Sequence, residues 1–234
     1  MSMSCKTLKV LENLELVCNT NIENLEEIKK TLKEAYQNNK KFFKSDTPLI
    51  TITLVYTRKE LDEIIHRQTK DWEVAYAYNH DDLKNQIVIF SPEIIETVSG
   101  NTKSYFPYLL THEMAHVFTD NVRNFFQPRW LYEGLAGYVS KQYSKAKKIT
   151  KIVEFKQIHD KKGWNEYPSY AQAYSFTKFL VDKYGEKKLL DFLVNHLCKL
   201  DRYNKYGEFK LIFEKFFDED IESVSNSWIT SVIS

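Results

Sequence analysis

Cysteine, glycine and proline are scarce in this chain of 234 residues, which holds 3 Cys, 6 Gly and 5 Pro. So little glycine and proline excludes a collagen-like fibre and a linker-rich or disordered chain. The cysteines lie far apart in sequence and form no C-x-x-C pair, which argues against a zinc knuckle or a redox dithiol. Three cysteines without a pattern fit a reducing compartment.

An excess of charge of one sign is also lacking. Lys and Arg total 33 against 32 Asp and Glu, so the net charge is +1, and the usual reason to propose a nucleic-acid or anionic-membrane partner is absent. No apolar run approaches the roughly 18 residues of a membrane span, and residues 1–17 lack the apolar stretch of a signal peptide. We therefore predict a cytoplasmic chain without a membrane span or a nucleic-acid partner, and the sequence leaves its oligomeric state open.

Aromatic residues are abundant, with 15 Tyr, 15 Phe and 4 Trp. A chain of this length buries about 70% of the surface that it exposes when unfolded. Much of the aromatic content must therefore lie in a core. The length itself fits one large domain, so we predict that residues 1–234 form a single domain.

Hydrophobic periodicity predicts an α+β fold, with a small mixed sheet and helices in residues 1–100 and a mainly helical lobe in residues 101–234. Strands are predicted over residues 49–56, 72–78 and 86–90, the last two forming a hairpin through the polar turn 79–82. Ser91 is predicted to cap a helix that begins at Pro92. Further helices are predicted over residues 21–40, 58–67, 104–122, 130–143, 148–159, 170–184, 187–198, 205–217 and 220–231.

The sequence His112-Glu113-Met114-Ala115-His116 is an H-E-x-x-H motif. On a helix at about 100° per residue, His112 and His116 lie one turn apart on one face, where both imidazoles can bind the same metal ion. Glu113 lies near that face and can reach a water on the metal. Neutral imidazoles, an open position for water and a carboxylate that takes the water's proton are what zinc hydrolysis requires.

A second segment, Trp130 to Tyr138, reads W-L-Y-E-G-L-A-G-Y and places Glu133 among small residues on a helix that Pro128 leads in. Gly134 and Gly137 lower the helix propensity. Close approach to another helix explains that cost, and close approach is what bringing Glu133 within about 2 Å of a shared metal demands.

H-E-M-A-H followed by W-L-Y-E-G-L-A-G-Y resembles the gluzincin zinc metallopeptidases, and most closely their small peptidase-MA-like members. The resemblance is specific over residues 104–138. It implies a thermolysin-like architecture, one Zn²⁺ ion held by His112, His116 and Glu133, Glu113 as the general base, and a peptide or protein as the substrate.

The resemblance extends to residues 170–176, which are similar to the helix that follows the ligand helix in this family. It implies that Tyr170 donates a hydrogen bond to the developing oxyanion. Tyr174, one turn later, is the competing candidate. By family analogy, the strand 86–90 is the edge that pairs with an extended peptide. No G-x-M-E-N-like segment for binding a free α-amino group is present, which argues against exopeptidase activity.

The sequence alone leaves several alternatives open. A zinc-containing binding or structural module without turnover is the main one, and a hydrolase of non-peptide amides is another. A structural zinc usually has a closed ligand set and needs no Glu113, so the open three-ligand site favours the enzyme. Asp120 is either a partner of the histidines or an ordinary polar residue at the helix end. The remaining histidines are predicted to be surface or packing residues: His66, His80, His159 and His196.

Overall fold

The computed structural model describes residues 5–78, 85–123 and 126–233. The chain forms two compact units, one ending at Asn121 and the other beginning at Val122. The sheet lies in the first unit, and the described residues of the second unit are mainly helical. The predicted α+β class, with a small N-terminal mixed sheet followed by a helical lobe, is confirmed.

The sheet of the first unit has the strand order β1-β2-β3-β5-β4. Its strands are β1 (Cys5–Leu11), β2 (Leu14–Asn19), β3 (Ile50–Val55), β4 (Ala75–Tyr78) and β5 (Gln86–Phe90). β3 lies between β2 and β5 and pairs in parallel with both. β1 pairs antiparallel with β2, and β4 pairs antiparallel with β5. The central strands are rich in β-branched residues, as strands buried by flanking elements require.

The helices of the first unit are α1 (Leu25–Phe43), α2 (Arg58–Ile65), α3 (Ile95–Val98) and α4 (Phe106–Phe118). α1 buries one apolar face against α4, where Tyr36 and Phe43 contact the ring of Phe118 at centroid distances of 5.5 and 5.7 Å. α4 also packs against β4 and β5. The H-E-x-x-H helix is therefore held between α1 and the sheet.

The helices of the second unit are α5 (Arg129–Val139), α6 (Lys161–Glu166), α7 (Tyr170–Tyr184), α8 (Glu186–Asn195), α9 (Tyr206–Phe217) and α10 (Ile221–Ile233). Trp130 of α5 stands at the centre of an aromatic core, with the rings of Phe155, Phe176 and Phe209 at 4.9, 5.3 and 5.7 Å. Trp228 of α10 joins this cluster through Phe176. The aromatic residues thus form a core, as their number predicts.

Three sequence predictions of local structure are wrong. Residues 148–159 form turns and irregular chain rather than a helix. Ser91 does not cap a helix, because residues 92–94 form a turn closed by Ile94 N donating to Ser91 O, and α3 begins only at Ile95. The strand 86–90 is not a sheet edge, because β5 pairs with β3 on one side and β4 on the other.

The β1–β2 hairpin at the start of the chain has no counterpart among the predicted strands. The pairing of β4 with β5 confirms the predicted hairpin. Its turn at residues 79–82, and with it His80, lies outside the described residues. Throughout the described ranges, every helix is too short or too polar to cross a bilayer.

Candidate metal centre

α4 brings the two histidines of the H-E-x-x-H motif together. His112 and His116 are buried, and their Nε2 atoms lie 3.1 Å apart. Their rings are nearly perpendicular, at 87°. Glu113, which lies beside His112 on the same helix, is only half-buried. The two imidazole nitrogens therefore lie close enough to bind one ion.

A buried amide of α1 fixes the backbone immediately before His112. Asn39 Nδ2 donates to Thr111 O at 3.1 Å and to Ala35 O at 2.9 Å. A hydrogen bond of this kind between buried groups is costly to lose, since the carbonyl would be left without its donor. Asn39 therefore helps to set the position of the first histidine along α4.

The second segment forms α5, which begins directly after Pro128, as the sequence predicts. Its two glycines, Gly134 and Gly137, permit close packing, and the helix that they approach is α7. A Cβ on Gly134 would lie 2.8 Å from the carbonyl oxygen of Ala173, and a Cβ on Gly137 would overlap the ring of Tyr174. The small residues thus let α5 lie against α7, which fixes the helix that carries Glu133.

Glu133 forms an ion pair one turn back along its own helix. Arg129 Nη2 lies 2.5 Å from Glu133 Oε1, and the side chains are 18% and 3% exposed. The guanidinium group also stands over the rings of Phe126 and Tyr132, at 4.4 and 4.7 Å from their centroids. Arg129 therefore neutralises the buried carboxylate of Glu133 and restricts its orientation.

The candidate ligand atoms of His112, His116 and Glu133 all lie within 4.8 Å of one another, and all three residues are buried. This group could hold a metal ion. Two imidazoles and one carboxylate are a donor set that suits zinc and leaves a fourth position for water. Two nitrogens bound at about 2.0–2.1 Å to a tetrahedral zinc lie roughly 3.3 Å apart, and the Nε2 atoms are 3.1 Å apart. The spacing of the two histidines therefore fits a zinc ion, and the donor types of all three residues suit one.

The two candidate oxyanion donors differ in their surroundings. Tyr170 is the first residue of α7 and is half-buried, lining a cleft at the surface of the second unit. Tyr174 is only 7% exposed and packs against Gly137. Asp120 lies in the π-helical turn Thr119–Arg123 after α4, and its role as a partner of the histidines stays a prediction.

A buried hydrogen-bond network holds the start of α5. His159 O accepts from Arg129 N at 2.6 Å, and His159 Nε2 donates to Asn204 O at 2.9 Å. Asn204 Nδ2 in turn donates to Gln127 O at 2.8 Å. His159 is thus a packing residue, as predicted, and one that ties the chain before Glu133 to the rest of the second unit.

The charge state of His159 should make stability depend on pH. Burial lowers the pKa of His159 below its usual value, against the opposing effects of the Asn204 carbonyl and the carboxylates of Asp160 and Glu208. Its buried Nδ1 has no hydrogen-bond partner in the described part of the chain, so a second proton there would find no acceptor. The unfolded chain binds this proton more readily, and we expect the free energy of unfolding to fall as pH drops below about 6.5.

Denaturant unfolding between about pH 7 and pH 5 tests this expectation on the native chain and on His159→Gln. Gln keeps an amide donor for Asn204 O but does not titrate, so its unfolding free energy should decline less over this interval. An equal decline in both proteins would contradict the assignment. His196→Gln is the matched control, because His196 lies in the same unit but outside this network.

Sequence reasoning missed two residues that support the candidate ligands. Arg129 has a local signal, since a basic residue four positions before a glutamate on a helix lies on the same face. Asn39 has none, because 72 residues separate it from Thr111 and only the packing of α1 on α4 joins them. The five predicted site residues lie on α4, α5 and the first turn of α7.

One protein family matches this chain over most of its length. The family model described as BSP, Peptidase of plants and bacteria, covers residues 19–209. That range is more than half of the chain and includes α4, α5 and α7. No curated protein matches the chain. The match over residues 19–209 shows that this chain belongs to the BSP family, the peptidases of plants and bacteria.

Proposed function

We propose that this protein is a zinc-dependent peptidase of the gluzincin type, acting as one domain on peptide or protein substrates in the cytoplasm. The observation that carries the proposal is the buried group of His112, His116 and Glu133, whose ligand atoms lie within 4.8 Å of one another. Membership of a peptidase family supports the same reaction class. The three residues would hold one zinc ion.

Zinc bound by these residues would lower the pKa of a water molecule to about 7 and polarise a peptide carbonyl. Glu113 is the residue that would move the proton. Its carboxylate would accept the proton of that water and then donate it to the leaving nitrogen of the peptide. The half-buried position of Glu113 beside His112 suits this role, because the carboxylate must meet both water and substrate.

Tyr170 would donate its phenolic hydrogen to the oxygen that becomes negatively charged. Its place in a surface cleft supports this choice over Tyr174, which is buried against Gly137. A donor to a substrate oxygen must be reachable by the substrate. The oxyanion role is therefore proposed for Tyr170.

The substrate would bind as an extended strand. β4 is the last strand in the sheet order, and β5 is its one partner among the described strands. An outer strand edge offers backbone donors and acceptors to a peptide. β4 also packs on α4, the helix of the histidine pair. We therefore propose that the peptide pairs with the outer edge of β4 rather than with residues 86–90.

Metal removal and restoration test the proposal. Purified protein should contain one zinc ion per chain by elemental analysis, and a quenched fluorescent peptide library should be cleaved. Treatment with 1,10-phenanthroline should abolish cleavage, and added zinc should restore it. Glu133→Gln, checked for native circular dichroism, should lose most of its zinc because the amide is a weaker ligand than the carboxylate.

The outcomes separate the alternatives. Absence of stoichiometric metal in the native protein would overturn the metal site. One zinc per chain without cleavage of any library member would instead support the binding or structural module. Cleavage that survives complete zinc removal would show a peptidase of another mechanism.

A further inference from the structure

A cleft of about 300 Å³ lies at the start of α7 in the second unit. Two segments line it. One is the irregular chain around Lys148 and Lys151, and the other runs from Tyr167 through Tyr170 to Gln172. This volume is at the lower end of the range for pockets that bind small ligands. The cleft is therefore large enough for one or two side chains, but not for a folded partner.

The two walls of the cleft are joined by defined contacts. Gln172 Oε1 accepts from Val153 N at 2.9 Å, and Gln172 Nε2 donates to Val153 O at 2.7 Å. Lys151 Nζ stands 5.9 Å from the centroid of the Tyr167 ring. The irregular segment is thus attached to α7, and Lys151 lies beside Tyr167, just before the start of that helix.

The lining of the cleft carries two positive charges, although the whole chain has a net charge of only +1. The lysines are Lys148 and Lys151, two of the eight in residues 141–162, a stretch with only two acidic residues, Glu154 and Asp160. Within the described residues, Lys148 and Lys151 form no ion pair, and no acidic residue lines the cleft. The nearby carboxylate of Glu166 accepts a hydrogen bond from the Tyr167 hydroxyl, which raises the pKa of that phenol.

We propose that this cleft binds a carboxylate of the peptide substrate, with Lys148 and Lys151 as the residues that determine this preference. The ligand class is an acidic peptide, bound through the side chain of Asp or Glu. The two ammonium groups have no acidic partners and would attract a carboxylate. The volume of the cleft accommodates the side chain that carries it.

The inference rests on the proposed function, because the acidic peptide is a substrate only if the protein is a peptidase. Tyr170 is the link, because it lines the cleft and is proposed to act at the scissile carbonyl. An extended chain advances about 3.3–3.6 Å per residue. The acidic side chain should therefore lie within a few residues of the cleaved bond.

Binding in the absence of turnover tests the cleft separately from catalysis. Fluorescence anisotropy would measure the affinity of zinc-loaded Glu113→Gln protein for three labelled peptides of otherwise equal sequence. One carries internal Glu residues and an amidated end, one replaces each Glu by Gln, and one keeps Gln but has a free C-terminal carboxylate. The Glu peptide should bind most tightly.

Lys148→Glu/Lys151→Glu should weaken binding of the Glu peptide by roughly 2- to 30-fold, the range expected from two exposed ion pairs, and should leave the Gln peptide unaffected. Lys161→Glu/Lys162→Glu is the matched control, since it makes the same change in charge on α6, away from the cleft lining. This control should change the affinity less.

Equal binding of the Glu and Gln peptides would overturn the inference, as would equal losses in the two lysine variants. Tightest binding of the free C-terminal peptide would show that a terminal carboxylate, rather than a side chain, is the ligand, and would overturn the side-chain assignment. Retained Glu-dependent binding by a native protein that cleaves no peptide would support the cleft and reject the proposed peptidase function.

Discussion

Replacing Glu113 by Gln is expected to reduce peptide hydrolysis by about 10²- to 10⁴-fold, the usual contribution of a general base. The amide cannot accept the proton of the attacking water. The substitution keeps the shape of the side chain and leaves untouched the group of His112, His116 and Glu133. Zinc content should therefore stay at the native level, so that the loss appears in kcat and not in metal occupancy.

The measurement is the initial rate of hydrolysis of one peptide chosen from the library, at equal zinc content by elemental analysis. Glu214→Gln is the matched control, because Glu214 is an exposed glutamate on α9, and its rate should equal that of the native protein. A Glu113→Gln protein that holds zinc and keeps more than about a tenth of the native rate would exclude Glu113 as the general base.

The candidate site was predictable where its geometry is local. The spacing of His112 and His116 fixes their common face once α4 is a helix, and α4 spans both residues. The glycines beside Glu133 predicted close helix packing correctly. They could not identify α7 as the packing partner, because that contact joins residues about forty positions apart.

Other features depend on contacts that the sequence does not display. Residues 148–159 have apolar positions compatible with a helix, and Phe155 and Ile158 are buried. However, the side chain of Gln172 forms hydrogen bonds with both the N–H and the carbonyl of Val153. These are the groups that a helix would need for its own hydrogen bonds, so the segment stays irregular. The same contact creates one wall of the lysine-lined cleft.

Gly137→Ala is expected to destabilise the protein by about 1–3 kcal/mol and to weaken zinc binding. A Cβ at this position would overlap Cγ, Cδ1 and Cε1 along one edge of the Tyr174 ring. Tyr174 is only 7% exposed and has little room to turn away. α5 must then move from α7, and Glu133 moves with it because it lies one turn before Gly137 on the same helix.

Thermal unfolding and zinc titration test the two effects together. A loss of about 1–3 kcal/mol corresponds to a decrease in Tm of about 2–12 °C for a chain of this size. Gly207→Ala is the matched control, because Gly207 lies in the first turn of α9 and a Cβ added there would have no neighbour within 4 Å. Ala there should be neutral or stabilise by up to about 1 kcal/mol, since it favours the helix.

If Gly137→Ala behaved like Gly207→Ala, the tight contact of α5 with α7 would not be what positions Glu133. If Gly137→Ala lowered Tm but left the zinc affinity unchanged, the packing would stabilise the unit without controlling the metal site.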